Sequence, residues 1–356
     1  MSSKKWTLSV LGLTAGLVIL IASFIFIVDP FFCFREPKEY GYSISNEIYQ
    51  NPGVVRNYEF NSVILGSSMC ENFRPSEFDN KFSVSTVKLT YAGGYPLNYK
   101  YIMDTIKEYK DLEVVFWGMD ITTFATPSNQ TRFPLPEYLY DQNRLNDINY
   151  LLNKDIILYS LDVVRKQIAG VPTTDIDDAY EWYSANANKF NTPVVAENLL
   201  DMYNLAGKSD AQISSDEYFY LVKENFEKNI VPIIESNPET EFYIFFPPYS
   251  IVFWKVHEKA GDLDEYIYSL EYITENLLIY DNIEVYSFQD VESIVCDISL
   301  YKDHTHYLPS INDFILENMD NPKYQITKEN YKNKIEDLQK LIVNTNVVEL
   351  LESYTE

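Results

Sequence analysis

An uncharged apolar run from Trp6 to Val28 is the feature that most constrains the fold of this chain. At about 1.5 Å per residue, a helix over this run is long enough to cross a hydrocarbon layer of about 30 Å. A secretory signal peptide has a shorter apolar region and a cleavage site of small residues, whereas this run ends in Phe24-Ile25-Phe26-Ile27-Val28-Asp29-Pro30. The sequence therefore predicts an uncleaved transmembrane helix.

The basic residues Lys4 and Lys5 flank the N-terminal side of the run. Because basic flanks stay on the cytoplasmic side, we expect the N-terminus in the cytoplasm and everything after Asp29 outside. The expected location is the cell membrane, with a single span through residues 6–28 in the lipid bilayer and an extracytoplasmic domain.

Short apolar runs, rich in β-branched or aromatic residues, recur along the rest of the chain at 62–65, 85–89, 114–117, 242–246 and 283–286. Each ends near a turn signal, as buried strands do. Helical patterns separate them at 97–109, 215–235 and 263–280. Strands that alternate with helices form parallel sheets. We predict an α/β protein, a three-layer α/β/α sandwich with a mostly parallel five-stranded sheet.

The predicted organisation has four segments. A cytoplasmic stub and anchor (1–29) precedes a lead-in (30–60), which we expect to be extended because it contains Pro and Gly without helical periodicity. The α/β domain covers 61–322 and contains a polar, mostly helical insertion at about 125–210, expected to be a lid or a partner-binding cap. The tail (323–356) is predicted to be an amphipathic helix that packs on the domain, since its polar face is not basic.

The charge balance restricts the partners. Against 53 Asp and Glu there are 28 Lys and Arg, and a net charge of −25 would repel a phosphate backbone, so we expect no nucleic-acid partner. Three cysteines cannot make a disulfide framework, although one bridge is possible. We expect no metal and no cofactor.

The first candidate for chemistry follows the first predicted strand, where the chain reads Gly66-Ser67-Ser68. Parallel sheets bind ligands at the carboxyl ends of their strands, and a turn of small residues there exposes a hydroxyl at the head of the next helix. A serine at such a junction is more often an N-cap, so the tripeptide alone does not define a site. Cys70, two residues later, is interpreted as a small buried apolar residue.

The second candidate is Asp303-His304-Thr305-His306, which contains two of the three histidines. A serine nucleophile needs a base, and the base needs a carboxylate that fixes its tautomer; His306 and Asp303 can supply both. Asp303, His304 and His306 could instead ligate a metal, but a fourth ligand is not evident. His304 and His257 are interpreted as surface or structural residues.

The order of these motifs resembles the SGNH/GDSL hydrolase superfamily, whose first block, Gly-x-Ser, matches Gly66-Ser67-Ser68 and whose last block, Asp-x-x-His, matches Asp303 to His306. With its anchor, the chain looks like the membrane-anchored branch related to the alginate O-acetyltransferases and the D-alanyl-lipoteichoic acid biosynthesis protein. The resemblance implies Ser68 as nucleophile and His306 and Asp303 as its catalytic partners.

The superfamily also builds an oxyanion hole from a backbone Gly and an Asn. Gly93 or Gly94, after the second strand, fits the Gly block. Asp120 occupies the Asn position, and an ionised carboxylate cannot donate a hydrogen bond. Either Asp120 is protonated, or it is structural and the hole uses the backbone N–H groups of Ser68 and Gly93 or Gly94.

The resemblance implies an extracytoplasmic acyltransferase that moves an O-acetyl or similar acyl group from an acyl donor, through an acyl-serine, to an envelope glycan or teichoic acid. A membrane-bound O-acyltransferase is the protein partner that the family implies. A carbohydrate O-acetyl esterase would use the same residues. A non-catalytic assembly partner of a membrane-bound O-acyltransferase is the third interpretation, which Asp120 keeps open.

Overall fold

The computed structural model describes residues 2–207 and 213–355 as one α/β chain with a single main sheet. The strands are β1 (Ser62–Gly66), β2 (Thr86–Lys88), β3 (Val114–Gly118), β4 (Glu241–Phe246), β5 (Ile283–Ser287) and β6 (Gln325–Ile326). The helices are α1 (Ser3–Val28), α2 (Glu47–Asn57), α3 (Pro75–Phe82), α4 (Pro96–Tyr109), α5 (Ile148–Leu151), α6 (Lys154–Ile168), α7 (Tyr183–Asn186), α8 (Thr192–Leu205), α9 (Ser215–Asn225), α10 (Val231–Glu235), α11 (Ile251–Ala260), α12 (Leu263–Leu277), α13 (Glu292–Val295), α14 (Pro309–Glu317), α15 (Tyr331–Asn344) and α16 (Val347–Glu352).

The sheet has the order β2-β1-β3-β4-β5-β6, and its first five strands are parallel. The mixed α/β class and the mostly parallel sheet are thus confirmed. The expected count of five strands is wrong, because β6 adds an antiparallel edge strand beside β5. A strand of two residues is too short to leave an alternating pattern in the sequence.

Close packing at the ends of β1 and β3 shapes the turn that follows β1. Gly66 has φ +149°, and a Cβ placed on it would stand 2.4 Å from the Cys70 Sγ. A Cβ on the neighbouring Gly118 would stand 2.2 Å from the same sulfur. The two glycines therefore let fully buried Cys70 fold back against the strand ends, which fixes the path of Ser67 and Ser68. Burial also raises the pKa of the Cys70 thiol, as expected for a structural residue.

Segment 30–60 is not extended throughout, because it contains α2. Pro52 lies inside this helix and has no N–H to give to the Ile48 carbonyl, which instead accepts a hydrogen bond from the Tyr140 hydroxyl at 2.8 Å. Gly53 lies so close to Phe31 that a Cβ would stand 2.1 Å from its carbonyl oxygen. The helix is buried on several sides, so its sequence lacks the one-sided apolar stripe of a surface helix.

Helix α1 is long and apolar enough to cross a membrane, and it is the one helix of that kind among the described residues. Most of it is exposed, but Ile25 and Val28 in its last turns are buried in the main core. The helix ends at Val28 and is capped by Asp29, whose carboxylate accepts hydrogen bonds from the amides of Cys33 at 2.9 Å and Phe34 at 2.8 Å. The helix therefore joins the domain without a free linker.

The insertion lies between β3 and β4, and most of its regular structure is helical: α5, α6, α7, α8 and short 3₁₀ turns. Helices α5 and α6 pack against α1, and α8 packs against α11 and α16. The tail contains β6 and then two helices rather than one, because the chain breaks at Thr345 and Asn346 between α15 and α16. Leu338 and Ile342 of α15 are buried, and α15 packs against α11 and α12.

Candidate functional site

The loop 301–307 lies against the turn that follows β1. An antiparallel bridge between Tyr301 and Tyr307 closes the loop at its base. The Tyr307 hydroxyl and the Asn312 side-chain amide both donate to the Met69 carbonyl, at 3.2 and 2.9 Å. Residues far apart in the sequence are thereby held together, because buried donors from the loop and from α14 satisfy a carbonyl in the turn after β1.

Ser68, His306 and Asp303 form a continuous chain of hydrogen bonds. The Ser68 Oγ lies 2.8 Å from the His306 Nε2, and the His306 Nδ1 lies 3.0 and 2.9 Å from the two Asp303 carboxylate oxygens. The carboxylate can only accept, so Nδ1 carries the ring proton and Nε2 accepts a hydrogen bond from the Ser68 hydroxyl. The three predicted residues are therefore brought together with the geometry of an activated serine.

Asp303 is held as a carboxylate. Burial alone would raise its pKa, but the hydrogen bonds and charge of His306, together with the amides of His306 and Thr305, hold the pKa below the usual range. The two amides donate to the same carboxylate oxygen at 2.8 and 2.9 Å. The carboxylate thus keeps the charge that orients the imidazole and would stabilise it when protonated.

Asp120 is surrounded by donors. Its carboxylate accepts hydrogen bonds from the hydroxyls of Tyr249 at 2.5 Å, Thr122 at 2.6 Å and Ser67 at 3.2 Å. The Thr122 amide donates to it at 3.0 Å. Such a set of partners suits a carboxylate that accepts rather than an acid that donates, so the geometry favours a structural role in which Asp120 holds Ser67.

The two glycines of the second block differ in their backbone bonds. The Gly94 N–H donates to the Tyr91 carbonyl at 2.7 Å and is committed to a turn. Within the described residues, the N–H groups of Gly93 and Ser68 have no hydrogen-bond acceptor. Gly93 adopts φ +60°, the left-handed conformation that glycine tolerates best. Of the two glycines, Gly93 is therefore the one whose N–H is left unpaired, as is that of Ser68.

Trp182, in the insertion, is a site residue that sequence reasoning missed. Its indole Nε1 donates to the Ser68 carbonyl at 2.8 Å, and its ring meets the His306 ring edge-on, with centroids 5.5 Å apart. The Lys302 Nζ lies 4.2 Å from the Trp182 ring centroid. The backbone amides of Trp182 and Tyr183 donate to the Asn72 side chain, which fixes this segment to the turn after β1.

A pair of carboxyl groups lies behind the Ser68 turn. Glu71 is buried and hydrogen-bonds with Glu47. Glu47 also accepts from the Thr90 hydroxyl at 2.9 Å and from the Ala92 amide at 2.6 Å, so the shared proton belongs on Glu71. Burial raises the pKa of both groups, and the neighbouring charge of Glu47 raises that of Glu71 further, against the lowering effect of Lys88.

This pair predicts a pH dependence of stability. Because the folded-state pKa values lie above those of an unfolded chain, the native state holds extra protons, and the free energy of unfolding should fall as the pH rises above the ordinary glutamate value of 4.5. Glu71→Gln should make this fall shallower, by up to about 1.4 kcal/mol per pH unit for one proton. Urea unfolding at several values between pH 5 and pH 7 measures it.

The pH range of the measurement stays below 7 because burial lowers the pKa of Lys88 to about 8. Above that value, deprotonation of Lys88 would make the free energy of unfolding rise with pH instead of fall. Burial raises the pKa of Asp29 to about 6, so Asp29 adds a fall of the same sign in both proteins and cancels in the comparison. Glu239→Gln, at an exposed glutamate, is the matched control and should leave the slope unchanged. An unchanged slope in Glu71→Gln would contradict the shared proton.

The other two histidines, His304 and His257, are not part of the hydrogen-bonded series of Ser68, His306 and Asp303. The His304 ring lies parallel to Phe253 with centroids 6.0 Å apart, and the His257 Nδ1 lies 2.9 Å from the Asp262 carboxylate. Across residues 2–207 and 213–355, no group of three His, Cys, Asp or Glu side chains is arranged to hold a metal. Asp303 and His306 are instead bonded to each other, and the three cysteines are free thiols.

No protein family matches this chain, and no curated protein matches it. The functional assignment therefore depends on the residues of the chain itself.

Proposed function

We propose that this protein is an SGNH-like serine acyltransferase of the cell envelope, with a three-layer α/β/α domain anchored by α1 and facing outward. The hydrogen-bonded series Ser68, His306 and Asp303 carries the proposal. The proposed reaction moves an acetyl or similar acyl group from an ester or thioester donor to a hydroxyl of an envelope glycan or teichoic acid. A membrane-bound O-acyltransferase that supplies the acyl group is the proposed partner.

In the first half-reaction, His306 takes the Ser68 proton while the Ser68 Oγ attacks the acyl carbonyl of the donor. The backbone N–H groups of Ser68 and Gly93 are the proposed donors to the oxyanion, each worth roughly 3 to 4 kcal/mol. The intermediate collapses to an acyl-serine, and His306 returns the proton to the departing oxygen or sulfur. Asp303 holds the imidazole in the tautomer that both steps require.

In the second half-reaction, His306 takes a proton from the acceptor hydroxyl, whose oxygen attacks the carbonyl carbon of the acyl-serine. The bond between that carbon and the Ser68 Oγ then breaks, and His306 returns the proton to the Ser68 Oγ. Water as the acceptor would make the same site an O-acetyl esterase. The anchor favours transfer, because it would place the domain beside a donor-supplying membrane protein. The donors around Asp120 support the catalytic proposal over a non-catalytic role, since they suit a structural carboxylate and the proposed oxyanion donors are backbone N–H groups.

The test uses the full chain, purified in detergent, with a chromogenic acetyl ester and a serine-directed fluorophosphonate. We expect ester turnover and a covalent adduct on the peptide that contains Ser68. A glycan or teichoic acid that increases release of the chromogenic alcohol and itself becomes acylated would identify transfer rather than hydrolysis. The absence of both ester turnover and an adduct on Ser68 would refute the catalytic proposal.

The anchor has its own measurement. We propose that α1 remains attached and crosses the bilayer with its N-terminus in the cytoplasm. Intact mass spectrometry of protein extracted from membranes should give the mass of the whole chain. A mass that lacks the residues before Asp29 would show a cleaved signal sequence instead.

Trp182→Phe should lower kcat for the ester about 10-fold. Phenylalanine keeps an aromatic ring beside His306 but removes the N–H that donates to the Ser68 carbonyl, a loss of about 1 to 1.5 kcal/mol for one hydrogen bond. Trp6→Phe, the same substitution at an exposed position on α1, should leave kcat unchanged. Equal kcat values for the two variants would show that the hydrogen bond does not position the nucleophile.

A further inference from the structure

We propose that the outward face of α5 and α6, with the residues that flank them, rests on the lipid of the bilayer surface beside α1. The inference rests on the proposed membrane span of α1 and adds to it a second, peripheral contact between domain and lipid. It concerns residues 144–171 of the insertion, which we call the α5–α6 face.

Several large apolar side chains between Leu145 and Ile168 are exposed. The highest exposed fractions are 87% for Leu145, 84% for Ile168 and 66% for Leu158. Leu161, Ile148 and Leu152 are also exposed. Single exposed apolar residues are ordinary on protein surfaces, but a contiguous group of them marks a contact with another apolar phase or molecule.

The exposed apolar residues are not part of the stripe that packs α6 on the domain. That stripe consists of Ile156, Ser160 and Val163, which are buried. Leu158, Leu161 and Ile168 recur at spacings of three and seven and lie on a different side of the helix. Helix α6 therefore has two faces with apolar residues, and the domain covers only one of them.

The position of α1 places the uncovered face at the membrane boundary. About 20 residues at about 1.5 Å each cross a hydrocarbon layer of about 30 Å, so a span that begins at Trp6 leaves the layer near Ile25. Ile21 and Phe24 pack against the main core and Ile25 is buried in it, while α5 and α6 contact α1. Before Ile21 almost every residue of α1 is exposed, so α5 and α6 meet α1 at its last turns, at the depth of the lipid interface.

The charge of this segment favours lipid as the occupant. From Arg144 to Val171 there are four basic residues and three acidic ones, in a chain with a net charge of −25. One of the acidic residues, Asp147, is buried against Arg56 and does not face outward. This segment therefore lacks the acidic excess of the rest of the chain. Its exposed basic residues Arg144 and Arg165 pair with Asp147 and Asp162, and their outward N–H groups suit anionic headgroups.

The experiment is nitroxide accessibility on the full chain in vesicles of phosphatidylcholine with a fraction of phosphatidylglycerol. The label is attached to Leu161→Cys in a Cys296→Ser background, in which the remaining cysteines, Cys33 and Cys70, are buried. Oxygen concentrates in lipid and a nickel chelate stays in water. We expect the Leu161→Cys label to collide at least several-fold more with oxygen than with the chelate.

Two further positions calibrate the measurement. Val343→Cys, at an exposed apolar residue of α15, should favour the chelate, and Leu13→Cys, in the middle of α1, should favour oxygen. Circular dichroism of each labelled protein checks that it is folded.

The outcomes separate this inference from the anchor. Oxygen preference at Leu13→Cys with chelate preference at Leu161→Cys overturns the inference and leaves the span intact. Chelate preference at Leu13→Cys refutes the span and the inference together. Protection of Leu161→Cys from both reagents would show a protein surface on the α5–α6 face and would overturn the assignment to lipid.

Discussion

Ser68→Ala is expected to lower kcat for the acetyl ester by at least about 10³-fold and to abolish the fluorophosphonate adduct. Alanine removes the attacking oxygen and leaves His306 with no hydroxyl at 2.8 Å to deprotonate. Loss of the nucleophile from a serine triad costs more than the loss of a positioning group, because only transition-state binding then remains. Single-turnover and steady-state assays of the full chain measure it.

Ser67→Ala is the matched control at the adjacent position. The Ser67 hydroxyl is buried and donates to Asp120 at 3.2 Å, whereas the hydroxyl that lies 2.8 Å from the His306 Nε2 is that of Ser68. We expect a moderate loss of activity and an adduct that still forms on Ser68. Comparable activity of Ser68→Ala and the parent protein, or an adduct that moves to another residue, would place the nucleophile elsewhere.

Asp147→Asn is expected to lower the free energy of unfolding by about 3 to 5 kcal/mol. The Arg56 guanidinium is fully buried and lies 3.3 Å from both Asp147 carboxylate oxygens. The pair links α2 to the start of α5, because Asp147 directly precedes that helix, and the guanidinium also donates to the Asp141 carbonyl at 3.2 Å. Removal of the carboxylate charge leaves a buried cation without a counter-ion, which denaturant unfolding will measure.

The same substitution at an exposed ion pair is the control. Asp162 on α6 pairs with Arg165 at 2.7 Å, and both side chains are largely exposed to solvent. Asp162→Asn should therefore cost less than about 1 kcal/mol, because water screens the pair. Equal effects of the two substitutions would mean that the Arg56 pair contributes no more than a surface contact.

The sheet was predictable because its strands are buried on both faces. Strands β1, β2 and β3 are buried along their whole length, so they are visible as short apolar runs without alternation. Helix α2 was not predictable from periodicity, because its sequence has no one-sided apolar stripe and has a proline in its interior. Contacts with distant parts of the chain stabilise the helix instead. The Tyr140 hydroxyl that satisfies the Ile48 carbonyl comes from a distant part of the chain.

The candidate site was partly predictable for a related reason. Ser68 follows the first strand and the Asp303–His306 motif lies beyond the last parallel strand, and the topology of a parallel sheet brings such positions to one edge. Trp182 comes 114 residues after Ser68, from an insertion whose path no local pattern determines. The Glu47 and Glu71 pair likewise has no sequence signal, since each glutamate alone looks like a solvated charge.

The direct connection between α1 and the domain affects how the protein meets its substrates. A domain on a flexible linker can occupy a volume that grows with the length of the linker. Its effective concentration near a fixed target falls as that volume grows. Here the bonded Asp29 carboxylate and the buried Phe31 and Phe32 directly follow α1, so no flexible linker separates the helix from the domain. In a membrane the domain would diffuse and rotate with its helix as one body. The acceptor glycan or teichoic acid would therefore have to move to the site, because the domain could not reach out to it.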